Sequence, residues 1–161
     1  MFSIGDKVVY PMHGAGVIEA IEEKEILGDT KKYYVMNIPI GDMKVMIPLD
    51  KVTRVGLRGI IDEAGVLQVL SVLQEKHSAM STNWNRRYRA NMEKIKSGNI
   101  YEVAEVVRNL MVRERDKGLS TGERKMLECA KQILVSELVL ARGVQVEEIE
   151  GMLQEMINGS P

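Results

Sequence analysis

Residues 54–74, RVGLRGIIDEAGVLQVLSVLQ, are where the chain changes period. Ahead of them, short runs rich in Val, Ile and Tyr are broken by turn residues. Within them Leu67, Leu70 and Leu73 recur at helical spacing, and helical patterns continue to the end. The change predicts a boundary near residues 54–62 between an antiparallel β domain, residues 1–58, and an all-helical domain, residues 59–161. This is an α+β, two-domain architecture. Each half is short, and the first is marginal by surface-to-volume scaling unless it closes or docks.

Working back from the boundary, strands are expected at residues 7–10, 17–26, 32–40 and 43–47, with a last short strand at 52–55. Turns at Gly28-Asp29 and Gly41-Asp42 join them. Strands this short with no helix between them imply a small barrel, which either closes or leaves an edge where a partner strand adds. Working forward, Thr82 or Asn83 can cap a helix that Ser97-Gly98 ends. Asn99 with Glu102 has capping-box spacing and opens a helix that Gly118 stops. Ser120-Thr-Gly-Glu123 is a cleaner capping box, ahead of a long helix closed by Gly143. A last amphipathic piece runs through Ile149, Leu153 and Met156, and the closing Asn-Gly-Ser-Pro reads as frayed.

One stretch carries unusual chemistry. In NWNRRYRANMEKIK, residues 83–96, the one tryptophan of the chain, Trp84, stands at the mouth of a helix with Arg86, Arg87, Arg89, Lys94 and Lys96 behind it. A flat apolar ring among cations suits nucleic acid: the charges hold phosphates and the ring stacks or wedges. The plainer alternative is that Trp84, Tyr88, Met92 and Ile95 share one helical face and are core. The charge distribution supports segregation. Residues 84–99 hold five bases and one acid (+4), whereas Glu147, Glu148, Glu150 and Glu155 end the chain without a base (−4), inside a formal net charge of −1.

The inventory for catalysis is thin. His13, His77 and Cys129 lie at no metal-ligand spacing. Gly14 and Gly16 lack the Lys-Ser/Thr and the following helix of a phosphate-cradling loop. Cys129 falls in the apolar rhythm of a helix and reads as a buried, inert thiol. Adjacent tyrosines at 33 and 34 point to opposite faces of a strand, which argues against an aromatic cage. No cofactor, metal or small-molecule substrate is expected. The start lacks the pattern of a signal peptide, and Glu137 interrupts the most apolar helix, so neither a membrane partner nor a span is expected and a cytoplasmic location is.

Three long strings decide between the readings: FSIGDKVVYPMHGAGVI, NWNRRYRANMEKIKSGNIYEVAEVVRNL and GLSTGERKMLECAKQIL. With them the whole chain resembles the CarD/CdnL family of bacterial transcription regulators. The resemblance implies a Tudor-like barrel that binds RNA polymerase through its β subunit, and a helical domain on promoter double-stranded DNA. It implies that Trp84 enters the minor groove at the upstream fork of the melted promoter and stabilises the open complex. Arg89 and Arg124 match basic DNA-contacting positions, and Arg86, Arg87 and Lys94 accompany them as expected DNA contacts. Lys24 matches a basic position facing polymerase, and Met43, Lys44 and Met46 are expected to share that contact. Met46 stands where some members carry arginine. The protein would be cytoplasmic and reach the nucleoid through polymerase. The alternative is an independent DNA-binding or architectural protein whose barrel binds another protein.

Overall fold

A computed structural model describes residues 1–159; Ser160 and Pro161, half of the ending expected to fray, lie outside them. Strands β1 (Lys7–Tyr10), β2 (Gly14–Ile26), β3 (Asp29–Ile38), β4 (Met43–Pro48) and β5 (Arg58–Gly59) form an antiparallel sheet in the order β4-β3-β2-β1-β5. The expected barrel is corrected here: the sheet is open, with β4 and β5 at its edges. Two residues of β5 are too few to close it. The expected strand at 52–55 is also corrected, because Val52–Val55 is a single helical turn (α1) after a 3-10 turn at Leu49–Lys51. Gly56 ends it in the left-handed region at φ 77°, and this turns the chain back so that Arg58–Gly59 pairs with β1. That strand straddles the expected 58/59 division.

The inner face of the sheet buries Val8, Ile18, Tyr34, Met36, Ile38 and Ile47, with Leu57 beside them. Period-two alternation on β3 explains the selection: Tyr34, Met36 and Ile38 point in, and Tyr33, Val35 and Asn37 point out. β2 and β3 approach so closely at Gly16 that a Cβ there would lie 2.2 Å from the Asn37 carbonyl oxygen. Only glycine fits.

Helices α2 (Glu63–Gln74), α3 (Trp84–Lys96), α4 (Ile100–Asp116), α5 (Thr121–Arg142) and α6 (Val146–Asn158) enclose a second core centred on α4 and α5. Asn83, Asn99 and Ser120 cap their helices as expected, each accepting a backbone N–H of the first turn, and Gly143 closes α5 at φ 67°; Asp62, which was not expected, caps α2 in the same way.

The sheet docks on α5 through two neighbouring side chains. Glu137, fully buried, accepts both guanidinium nitrogens of Arg58 at 2.8 and 2.7 Å and the Ile61 N–H at 2.9 Å. Arg58 also donates to the Gly98 carbonyl at 3.0 Å. Ser136 accepts the Ala15 N–H at 2.8 Å and donates to the Ile133 carbonyl at 2.7 Å. Met12 and Ile40, from loops of the sheet, pack against the helical core. The charge that interrupts the apolar helix is thus the joint between the two halves. Glu137→Ala strands Arg58 without its partner and should cost about 3–5 kcal/mol in urea unfolding, whereas Glu137→Gln, which keeps an acceptor for Ile61, should cost less.

Candidate nucleic-acid interface

Helix α3 begins on Asn83, whose side chain accepts the Arg86 N–H at 3.0 Å. The expected apolar row is graded along its length: Ile95 is buried, Met92 and Tyr88 are half-buried, and Trp84 is 39% exposed. The core reading holds for the C-terminal end of the row, and its N-terminal end is surface.

Trp84 is nonetheless held. Its indole N–H donates to the Ser120 hydroxyl at 2.9 Å, and its ring stacks on Tyr88 with centroids 4.9 Å apart. The ring lies over Gly122, where a Cβ would come within 3.3 Å of it. Ser120 at the same time accepts the Glu123 N–H at 3.2 Å, so one hydroxyl caps α5 and orients the indole. Sequence inspection found the capping box but had no signal that it would meet a residue 36 positions earlier. What was missed is that Ser120, Gly122 and Glu123 meet Trp84, Tyr88 and Arg87 here.

The expected DNA contacts divide. Arg86 and Arg89 are exposed on α3, and Arg124 is exposed in the first turn of α5, 3.6 Å from Glu114. Arg87 is different: it is 5% exposed and its guanidinium grips Glu123 at 2.7 and 3.0 Å and the Ser81 carbonyl at 3.1 Å. Its donors face inward, so as placed it holds α3 to α5. Helical phase explains this, because Arg87, Asn91 and Ile95 form the buried stripe. Lys94 is partly exposed and bonded to Glu105 at 2.8 Å. Of the expected DNA contacts, Trp84, Arg86, Arg89 and Arg124 are left as the exposed members.

Electrostatics follow from these pairs. The Arg87 hydrogen bonds hold the Glu123 carboxyl below the usual carboxylate range against the opposing effect of burial. Lys94 does the same for Glu105.

On the sheet, register sorts the other expected residues. Lys44 and Met46 pair with Asn37 and Val35 on the outer face, and Lys24 pairs with Lys31 on that same face. Met43 pairs with buried Ile38 on the inner face. Met46 is 37% exposed on an edge strand and points away from the core. Lys24 is exposed, and Lys44 lies 3.4 Å from Glu19.

An edge-open sheet clasped to a helical bundle, with a ring and cations exposed on its helices, defines a two-module chain, and both modules have known relatives. Residues 2–61 match the CarD-like/TRCF RID domain, and residues 68–154 match the C-terminal domain of CarD. The chain belongs to the CarD family. It is similar to YdeB of Bacillus subtilis (strain 168), provisionally named a transcription factor, with 44% identity over 150 residues, 93% of this chain and 98% of YdeB. Among solved structures it is similar to the 72-residue N-terminal domain of Myxococcus xanthus CarD (34% identity, TM-score 0.33, 37% of this chain and 79% of that one). It is also similar to CdnLNt from Myxococcus xanthus (44% identity, TM-score 0.34, 39% and 89%). No helix among the described residues is long and apolar enough to cross a membrane.

Two expectations test the corner itself. Ser120→Ala should cost about 1 kcal/mol as a lost cap and also free the indole, seen as increased quenching of tryptophan fluorescence, whereas Ser120→Thr should keep both functions. Because the folded-state pKa of Glu123 is lowered, its pairing with Arg87 contributes stability above the ordinary value of 4.5. That contribution disappears as pH falls through the lowered value. Unfolding free energies of the wild type and of Glu123→Gln should therefore converge in acid and separate above about pH 5.

Proposed function

We propose that this chain is a transcription regulator that binds RNA polymerase through its sheet, near residues 1–58, and promoter DNA through its helical part, near residues 59–161. The transcription-factor name of YdeB supports the general role. The finer reading rests on one observation: an exposed indole held in a single orientation at the start of a helix that also exposes Arg86 and Arg89. A ring fixed in advance wedges an unstacked base step without first losing side-chain freedom, and neighbouring cations hold the backbone. We assign Trp84 to the upstream edge of the melted region, where a wedge resists reclosing and lengthens the life of the open complex. Polymerase, bound through its β subunit at the β4 edge and the outer face carrying Lys24, Lys44 and Met46, raises the effective concentration of the wedge at the fork. A near-neutral protein then has no need to bind free DNA tightly.

Trp84→Ala should leave the fold standing and shorten open-complex lifetime by about five- to a hundred-fold, the worth of one aromatic stack or wedge. An unchanged lifetime per folded molecule removes the wedge from the mechanism. Arg89→Glu and Arg124→Glu should each flatten the salt dependence of DNA association by about one unit of slope. Arg87→Met should instead lower thermal stability, so the three arginines separate by readout. Met46→Glu, at an exposed site, should fold normally and bind the polymerase β subunit more weakly. Native affinity in a folded Met46→Glu protein would falsify the assignment of that face.

A further inference from the structure

Glycine is a poor helix former, yet Gly122 is the second residue of α5, and no positive φ requires a glycine there. Its reason is spatial. A Cβ at 122 would lie 3.3 and 3.8 Å from Cζ2 and Cη2 of Trp84 and 3.9 Å from Cε2 of Tyr88, so the three nearest atoms are all ring carbons. The first distance is shorter than the roughly 3.5–4.0 Å of ordinary carbon–carbon contact, and something has to give. The helices are not free to part. Arg87 on α3 and Glu123, next to Gly122 on α5, are both buried and paired at 2.7 and 3.0 Å. The indole, 39% exposed, is the part that can move. Moving outward draws its N–H off the Ser120 hydroxyl, now at 2.9 Å, and its ring off Tyr88, now at a centroid distance of 4.9 Å.

We infer that Gly122 is a positioning residue for Trp84: the missing side chain lets the indole lie against α5, within reach of Ser120 and Tyr88 together. For its effect on promoter complexes the inference rests on the reading of Trp84 as a wedge. For its effect on the ring it rests on geometry alone. A side chain at 122 leaves the helices paired and unseats the indole. Trp84 is the one tryptophan of the chain, so its fluorescence reports that movement directly.

The test places Gly122→Ala and Gly122→Val in the full chain, each alone and combined with Trp84→Ala. Alanine is the better helix former, so Gly122→Ala should not lower the melting temperature. Acrylamide should quench Trp84 more readily than in the wild type, and more readily still in Gly122→Val, whose γ carbons reach further into the space of the ring. With polymerase on promoter DNA, Gly122→Ala should shorten open-complex lifetime about two- to tenfold, the effect of losing the prior ordering of one large side chain. Added to Trp84→Ala it should shorten the lifetime no further, because the glycine acts through the ring. Should Gly122→Val unfold, Gly122→Ala carries both readouts. Wild-type quenching in Gly122→Ala overturns the inference. So does a lifetime loss that persists in full on the Trp84→Ala background, since Gly122 would then serve the close approach of DNA to α5 rather than the indole. If Trp84→Ala alone leaves the lifetime unchanged, the wedge reading fails, and quenching still decides whether Gly122 seats the ring.

Discussion

A single buried carboxylate, Glu137, determines whether this chain is one object or two. With no exposure to water, its two oxygens need donors, and they take them from Arg58 at the edge of the sheet and from the Ile61 N–H beside the boundary. An apolar contact of equal area could slide. A bidentate pair with a third donor fixes direction as well as distance. The open sheet, too small to be comfortable alone, gains its second wall from the helix it docks on. What looked from composition like two weak domains is one assembly.

The same device recurs at the other end of α5. Glu123 gathers Arg87 there as Glu137 gathers Arg58, and the two arginines precede their glutamates in sequence by 36 and 79 residues. Burying Arg87 removes one cation from the surface of α3 and fixes the helix under Trp84. The neighbours Arg86 and Arg89 stay exposed because they lie outside the inward stripe. Three arginines within four residues therefore do different physical work, decided by about 100° of helical rotation per residue.

The legible parts of the fold were those fixed by local chemistry. Turn glycines, N-caps and the change of period placed every helix from α2 to α6 and four of the five strands. Illegible were features set by tertiary partners. The Val52–Val55 turn and the two-residue β5 are decided by Gly56 and by pairing with β1, which local alternation does not encode. Trp84 with Arg86 and Arg89 was readable as a basic, aromatic stretch, whereas Arg124 was named only through the family resemblance. That Arg87 turns inward was not, because its reason, Glu123, lies 36 residues away. Met46 illustrates the middle case: its strand was evident, but its facing depended on register with β3, which puts it opposite outward Val35.

Glu123 and Glu137 stand 14 residues apart on α5, close to four turns and about 21 Å along the axis. The helix therefore acts as a phased spacer, its two carboxylates facing nearly the same way. A single inserted residue between them would lengthen the axis by only about 1.5 Å yet twist one end by about 100° against the other. Both ion pairs could not then form at once. The separation of the sheet edge from the indole is thus quantised in whole turns, and this helix tolerates changes of side chain far more readily than changes of length.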